Sequence, residues 1–416
     1  MTPEIKQRVE KIRRGEVPEG YKKTKVGIVP DEWNEECLVK YLQEYKELSN
    51  DIENYPVYSS SRQGLILQSQ YYDNREAVET NLGYKIVPNG YVTYRHMSDD
   101  DIFHFNVNQT GSAVLVSSEY PVFTSTKKGD LGYLIPMLNG TARFRYFCRT
   151  QKMGGTRTRL YYKNLCTYKT AFATLPEQKK IAKILSAQDK IIVLKEKLIE
   201  EKKLQKKALM QQLLTGKKRL PGFDGEWSPI KLKKLLKERK TYSQKGLEFP
   251  HVTLSTDGIY AKSERYDRDH LVKDENKEYK VTHRGDICYN PANLKFGVIC
   301  VNDFGDAIFS PIYVTFEIQK DVDRDFLSNY LMRWDFINAV RKYEEGTVYE
   351  RMAVKPEDFL KFEILLPPIE EQRAISKILS IADKEIKLLQ RELDQEKQKK
   401  KALMQLLLTG IVRVNK

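Results

Sequence analysis

The stretch EQKKIAKILSAQDKIIVLKEKLIEEKKLQKKALMQQLLTG, Glu177 to Gly216, returns 194 residues later as EQRAISKILSIADKEIKLLQRELDQEKQKKKALMQLLLTG, Glu371 to Gly410. Laid on one another without a gap, the copies agree at 22 of 40 positions, which is far beyond chance. The same offset carries Glu32 and Trp33 onto Glu226 and Trp227, Leu38 and Leu42 onto Leu232 and Leu236, and Gly64 onto Gly258. The whole chain is therefore a tandem duplication. Its unit is much too long for a solenoid, whose periods run to roughly 50 residues, so two copies of a domain remain.

Neither repeated segment contains an internal proline or glycine. Pro176 and Pro367-Pro368 stand ahead of them, and Gly216 and Gly410 follow the last apolar residues as C-terminal stops. Apolar residues recur every seven at Leu185, Ile192 and Ile199 and at Leu379, Ile386 and Leu393. This predicts two long helices, each with a stripe that seeks a partner. About 39 helical residues would extend some 58 Å, more than one domain needs to cover its own core. The other copy is the simplest partner, and an antiparallel pair is expected, with cysteines at Ile192 and Ile386 expected to crosslink. The lysine-rich ends read as solvated faces of this pair, because Glu196, Glu200, Glu392 and Glu396 are interspersed.

Composition narrows the function. The 416 residues suit two domains, and 71 Lys and Arg against 57 Asp and Glu give a net charge of +14, which favours a polyanionic partner such as nucleic acid. No apolar run is long enough to span a bilayer, and MTPEIKQRVEKIRRGE has no apolar signal core, so a soluble, cytoplasmic protein is expected. Five dispersed cysteines form no CxxC pair, and five dispersed histidines suggest no metal site. YNPAN (Tyr289 to Asn293) superficially suggests the D/N-P-P-Y/F loop of amino-methyltransferases, but the second proline, the aromatic and any glycine-rich cofactor loop are missing. A phosphate-binding GxxxxGK[ST] is also absent. The chain reads as non-catalytic.

Outside the helices, short runs rich in Tyr, Val, Ile, Phe and Thr are broken by Gly, Asn, Asp and Pro, as in YKIVPNGYVTYRHM (Tyr84 to Met97) and its counterpart YKVTHRGDICYNPA (Tyr279 to Ala292). An α+β class with a mixed, curved sheet follows for each half. DFLSNYLMRWDFINAVRKY (Asp325 to Tyr343) has helical periodicity. Basic and aromatic residues interleave at RFRYFCRTQK (Arg143 to Lys152), just before MGGTRTRL, and again at RKYEEGTVYERM (Arg341 to Met352). Glycine loops flanked by arginine let backbone approach a phosphate while guanidinium groups reach phosphates or base edges.

Two diverged domains, each ended by a near-identical helix opened by LPEQKKIAKILS or LPPIEEQRAISKILS and closed by KKALMQ and LLTG, resemble the specificity subunit of type I restriction-modification systems. The opening KIRRGEVPEGYKKTKVGIVPDEW is also similar to the start of such subunits. The resemblance implies an N-terminal arm (1–23), a first target recognition domain (24–176), a first constant helix (177–219), a second target recognition domain (220–368), and a second constant helix with tail (369–416). It further implies that each domain reads half of a bipartite, asymmetric DNA site and that the paired helices act as a ruler. Two methyltransferase subunits would dock on the helices and restriction/translocase subunits would join through them, with S-adenosylmethionine, ATP and Mg held by those partners. LPEQ lacks the extra residues of LPPIEEQ, so the first domain-to-helix joint would be shorter.

Carried onto this sequence, the resemblance places DNA contacts at Ser60, Ser61, Arg62, Tyr94, Arg95, His96, Arg143, Arg145, Arg149, Lys152, Thr156, Arg157 and Arg159 in the first domain. In the second they fall at Ser255, Thr256, Tyr289, Asn290, Asn293, Lys295, Lys342, Tyr343, Thr347 and Arg351. The alternative reading is a coiled-coil interaction scaffold that reads no DNA sequence.

Overall fold

The computed structural model describes residues 3–71, 83–152, 156–244, 248–256, 258–262, 278–343 and 353–414. The chain divides into two compact units, Met1–Glu196 with Arg391–Lys416, and Lys197–Gln390. The repeated segments are helices of 39 residues, Leu175–Leu213 and Ile369–Leu407, each running through both units. Both end as the glycines require. Gly216 and Gly410 adopt φ of 71° and 72°, where a Cβ would be strained. The amides of Lys218 and Val412, two residues past each glycine, reach back to the carbonyls of Gln212 and Leu406 and satisfy the same helix-end carbonyl in both copies.

The two helices pair inside each unit. In the first, Gln188 Nε2 donates to Glu396 Oε2 at 2.6 Å, Lys195 pairs with Glu392, Lys397 with Glu196, and Lys400 with Asp189. In the second, Lys202 pairs with Glu385 and Lys206 with Asp383 at 2.7 Å each. Along one helix the partner numbers fall as its own rise, so the pairing is antiparallel. The lysines of KKAL meet the shared Asp189 and Asp383 of the opposite helix, so they serve the helix pair. The stripe residues Leu185, Ile199, Leu379 and Leu393 are buried, with Ile192 and Ile386 half-buried. The register corrects one expectation. Ile192 lies opposite the Glu392 to Glu396 turn and Ile386 beside Glu385 opposite Lys202, so those two positions do not face one another.

Each unit builds its core on both helices by the same recipe. Ile181, Leu185, Leu407 and Leu408 join Trp33, Phe123, Tyr133 and Phe144 in the first. The residues 194 away, Ile375, Leu379, Leu213 and Leu214, join Phe326 and Trp227 in the second. The repeated EQ fixes the start of each helix. Glu177 accepts from Trp33 Nε1 at 2.8 Å and from Arg413 Nε at 2.6 Å, and Glu371 accepts from Trp227 Nε1 at 3.1 Å and from Arg219 Nε at 2.7 Å. The glutamines follow suit. Gln178 accepts from the Asp130 amide and donates to the Ala173 carbonyl, as Gln372 accepts from Asp323 and donates to Pro367. These two repeated pairs couple domain to helix in the same way in both units.

The remaining residues form matched sets of small sheets. In the first unit the strand order is Asn106–Val107, Val92–Thr93, Val122–Ser125, Leu42–Tyr45, and in the second Leu236–Glu238, Val314–Ile318, Ile287–Tyr289, Ile299–Val301. Hairpins Tyr58–Ser61/Gly64–Leu67 and Val252–Ser255/Gly258–Ala261 repeat at the same offset. Among the described residues every ladder is antiparallel, and parallel geometry is confined to the bridges Val57 to Leu115 and His251 to Ile308. The periodic segment from Asp325 is two helices, Arg324–Leu331 and Trp334–Val340.

Candidate nucleic-acid interface

The two domains share one backbone device. Tyr94 is fully buried and its hydroxyl donates to the Leu160 carbonyl at 2.9 Å, while the Leu160 amide donates to the His96 carbonyl at 2.8 Å. Residue 95 is thus held between two neighbours that grip the same residue. The second domain repeats the arrangement, with Tyr289 donating to the Val354 carbonyl at 3.0 Å and the Val354 amide donating to the Pro291 carbonyl at 3.4 Å. The residue so held is Arg95 in one copy and Asn290 in the other. Arg95 is exposed. Asn290 is buried and accepts the Ala292 amide, capping the short helix Pro291–Phe296.

Around Arg95 lies a cavity of about 300 Å³, walled by Ser60, Ser61, Arg62 and Gln63 from one hairpin and by Ile102, Phe103 and His104 from the opposite side. The antiparallel pair Met97–Ser98 and Thr158–Arg159 brings the 157–159 segment to its rim. Acidic residues there balance part of the charge. Arg62 bonds Asp100, Arg157 Nε donates to Asp99 at 2.7 Å, and Thr158 bonds Asp101. Arg62 holds the Asp100 carboxyl below its usual range. Burial, reinforced by Arg62, lowers the pKa of His104, which leaves its neutral imidazole favoured. Neither Arg95 nor the Gln63 side chain has a hydrogen-bond or ion-pair partner among the described residues.

Several sequence-predicted contacts are committed to the frame. Tyr94 and Tyr289 are core anchors, and burial pushes both phenols well above their ordinary values. His96 is buried against Tyr161, its pKa lowered mainly by desolvation. Ser60 is buried and accepts from Asn106 Nδ2 at 2.8 Å. Ser61 and Ser255 each donate to a carbonyl three residues on, closing their hairpins onto Gly64 and Gly258, whose φ values are 118° and 128°. Asn290 is spent on its cap. These seven are therefore frame residues, a role that their polar or aromatic character did not reveal.

Arg143 to Thr150 is also helical. Thr141 caps the helix Ala142–Thr150 by accepting the Phe144 amide, and Phe144 and Cys148 face the core. The expected loop is corrected on this stretch. Arg145 and Arg149 lie one turn apart on the exposed side, while Arg143 donates to the Val26 carbonyl at 2.7 Å and is committed to the N-terminal segment. Lys152, Thr156 and Arg159 are exposed. In the second domain Thr256 is exposed at the hairpin tip, Asn293 and Lys295 are half-buried, and the Lys295 ammonium lies 5.2 Å from the Phe296 ring centroid. Lys342 sits over Tyr343 and Phe362. Thr347, Arg351 and the glycines of both GT loops fall outside the described residues. The sequence points to the Ser59 to Gln63 loop, but not to His104, Phe296 or the Asp99-Asp100-Asp101 run; only the last had a visible signal, three consecutive acids beside a basic stretch.

Among the described residues no three of His, Cys, Asp or Glu converge to hold a metal ion, and no helix is long and apolar enough to cross a membrane. A duplicated α+β frame whose first domain exposes Arg95, Arg145, Arg149 and Arg159 fits a nucleic-acid-binding subunit with two domains on one scaffold. The family model for the type I restriction modification DNA specificity domain matches twice, over residues 40–203 and 225–397. The chain belongs to that family, as a specificity subunit of type I restriction-modification systems. It is 25% identical over 433 residues to the MjaX type I restriction enzyme specificity subunit of Methanocaldococcus jannaschii, covering 95% of this chain and 97% of the relative. The MjaVIII specificity subunit of the same organism is 27% identical over 266 residues, 58% of this chain and 61% of the relative. Two solved structures share the fold. A chain from a structural study of complex assembly and conformational transition of the type I restriction-modification system superposes with a TM-score of 0.55 at 15% identity, over 92% of this chain and 99% of that one. The S subunit from M. genitalium does so with 0.52 at 12% identity, over 92% and 97%.

Proposed function

We infer that the chain reads a bipartite, asymmetric DNA site, one half with each domain, and is itself non-catalytic. The observation that carries this is the frame position shared by the two domains. The same tyrosine and backbone bonds hold exposed Arg95 in one copy and buried Asn290 in the other, so a common frame offers an exposed guanidinium in one half and no free side chain at that position in the other. Phosphate contacts from Arg145, Arg149, Lys152 and Arg159 would position the first domain, and base contacts would specify the sequence. The helix length would set the gap between half-sites.

The paired helices dock two methyltransferase subunits, which hold S-adenosylmethionine, and through them the restriction subunits that use ATP and Mg, in the cytoplasm. Leu194 and Leu388, 194 residues apart, are 64% and 56% exposed, and Val193, Leu204 and Ile381 are exposed on the same helices. Such matched apolar side chains suit two copies of one partner. A randomised duplex library presented to the full chain with its modification subunit tests the reading. Enrichment of a two-part motif supports it; retention of every duplex equally leaves a coiled-coil scaffold instead.

A further inference from the structure

We propose that Arg95, with Gln63 beside it, is the base-reading element of the first domain and that its target is a guanine in the major groove. The proposal rests on the reading of the chain as a two-part DNA reader and assigns one position of one half-site.

Three observations converge on Arg95. Its backbone is fixed, because Tyr94 and His96 on either side are both bonded to Leu160, and a reader must hold its geometry for discrimination to be sharp. Its guanidinium has no carboxylate partner among the described residues, whereas Arg62 and Arg157 on the same rim are bonded to Asp100 and Asp99. It also lines the cavity of about 300 Å³ together with Gln63 and His104, so an approaching base edge meets polar groups not already paired in a concave wall. A planar guanidinium matches guanine O6 and N7 with two parallel hydrogen bonds, and a neighbouring glutamine amide can bond an adjacent base. The carboxylates of Asp99 and Asp100 disfavour a phosphate close to Arg62 and Arg157, which turns this rim away from general backbone binding. In the second domain the matching Asn290 is buried in its own cap, so that half-site must be read from different positions.

The test selects duplexes from a randomised library with the full chain and its modification subunit, for the wild type, Arg95→Ala and Arg95→Lys. The wild type should enrich a two-part motif that includes a G·C pair which Arg95→Ala reduces to no preference, a loss of roughly 5- to 150-fold in discrimination. The other half-site and the slope of affinity against salt should be unchanged, and Arg95→Lys should recover only part of the preference because a point charge lacks the planar fork. Arg95 is exposed, so folding is expected to survive, and preferences retained at the remaining positions of the first half-site in the variant confirm that it has. An unaltered motif in Arg95→Ala overturns the assignment alone. A uniform loss across all sequences with a shallower salt slope overturns it in favour of a phosphate contact. A wild type with no motif overturns the two-part reading itself.

Discussion

Arg413→Ala should destabilise the first unit and spare the second. Glu177 is 6% exposed and its carboxylate takes two hydrogen bonds from Arg413, at 2.6 and 3.1 Å, and one from Trp33. Stripping the partner from a buried ion pair costs about 3–5 kcal/mol. The Arg413 side chain keeps 24% of its exposure, and Glu177 retains the indole N–H, so screening and the remaining bond bring the loss to about 2 kcal/mol. Hydrogen exchange read by mass spectrometry on the full chain follows each unit separately. Amides of the strand Gly27–Pro30 and the turn through Trp33 should exchange roughly 30-fold faster, while those around Trp227 hold their rate. Arg219→Ala, which removes the matching bond to Glu371, should produce the opposite pattern. If Arg413→Ala leaves the first unit's protection unchanged, or accelerates both units equally, the idea that the chain's end completes its first unit is wrong.

Four further outcomes follow. Lowering the pH from 7.5 to 5.5 should destabilise the first unit: burial depresses His96 and His104 below the ordinary 6.5, so the unfolded chain binds protons first, and stability present above that value falls as pH drops towards the folded pKa. Urea titrations should show this dependence flattened in a His96→Gln, His104→Gln variant, and an unflattened profile would reject the cause. Arg145→Ala and Arg149→Ala should each reduce the slope of log affinity against log salt by about 0.9 if they meet phosphates, whereas Arg143→Ala, bonded to the Val26 carbonyl, should leave that slope alone. Leu194→Asp with Leu388→Asp should weaken modification-subunit association by about tenfold or more in a titration, with unchanged binding excluding those faces as the dock. Inserting seven residues at matching places in both helices should lengthen the gap between half-sites, and an unchanged gap would remove the ruler.

The scaffold was legible because its signals are local. Proline, glycine and heptad spacing define the two helices, and the structure ends them at the two glycines with the same long backbone bonds. The duplication also marked Trp33, Glu177 and their copies as anchors, but their partnership was hidden, since it joins residues 144 positions apart and recruits Arg413 from 236 positions beyond Glu177. The site was less legible for the same reason. YRHM reads as a polar loop, yet Tyr94 is core because a carbonyl 66 residues away accepts its hydroxyl. RFRYFCRT carries the charge of a binding loop, and the Thr141 cap with Phe144 and Cys148 facing inward makes it a helix. Residue types proposed the right neighbourhoods; the fold decided which side chains face out of them.

The central claim is that each domain reads its own half-site on a shared frame. It is tested most directly by a chain carrying residues 220–368 in place of residues 24–176 as well as in their own position, with the bases it protects mapped in complex with the modification subunit. The half-site assigned to the first domain should disappear and the second half-site's sequence should occur twice, with the gap kept. Retention of the original asymmetric site would contradict it.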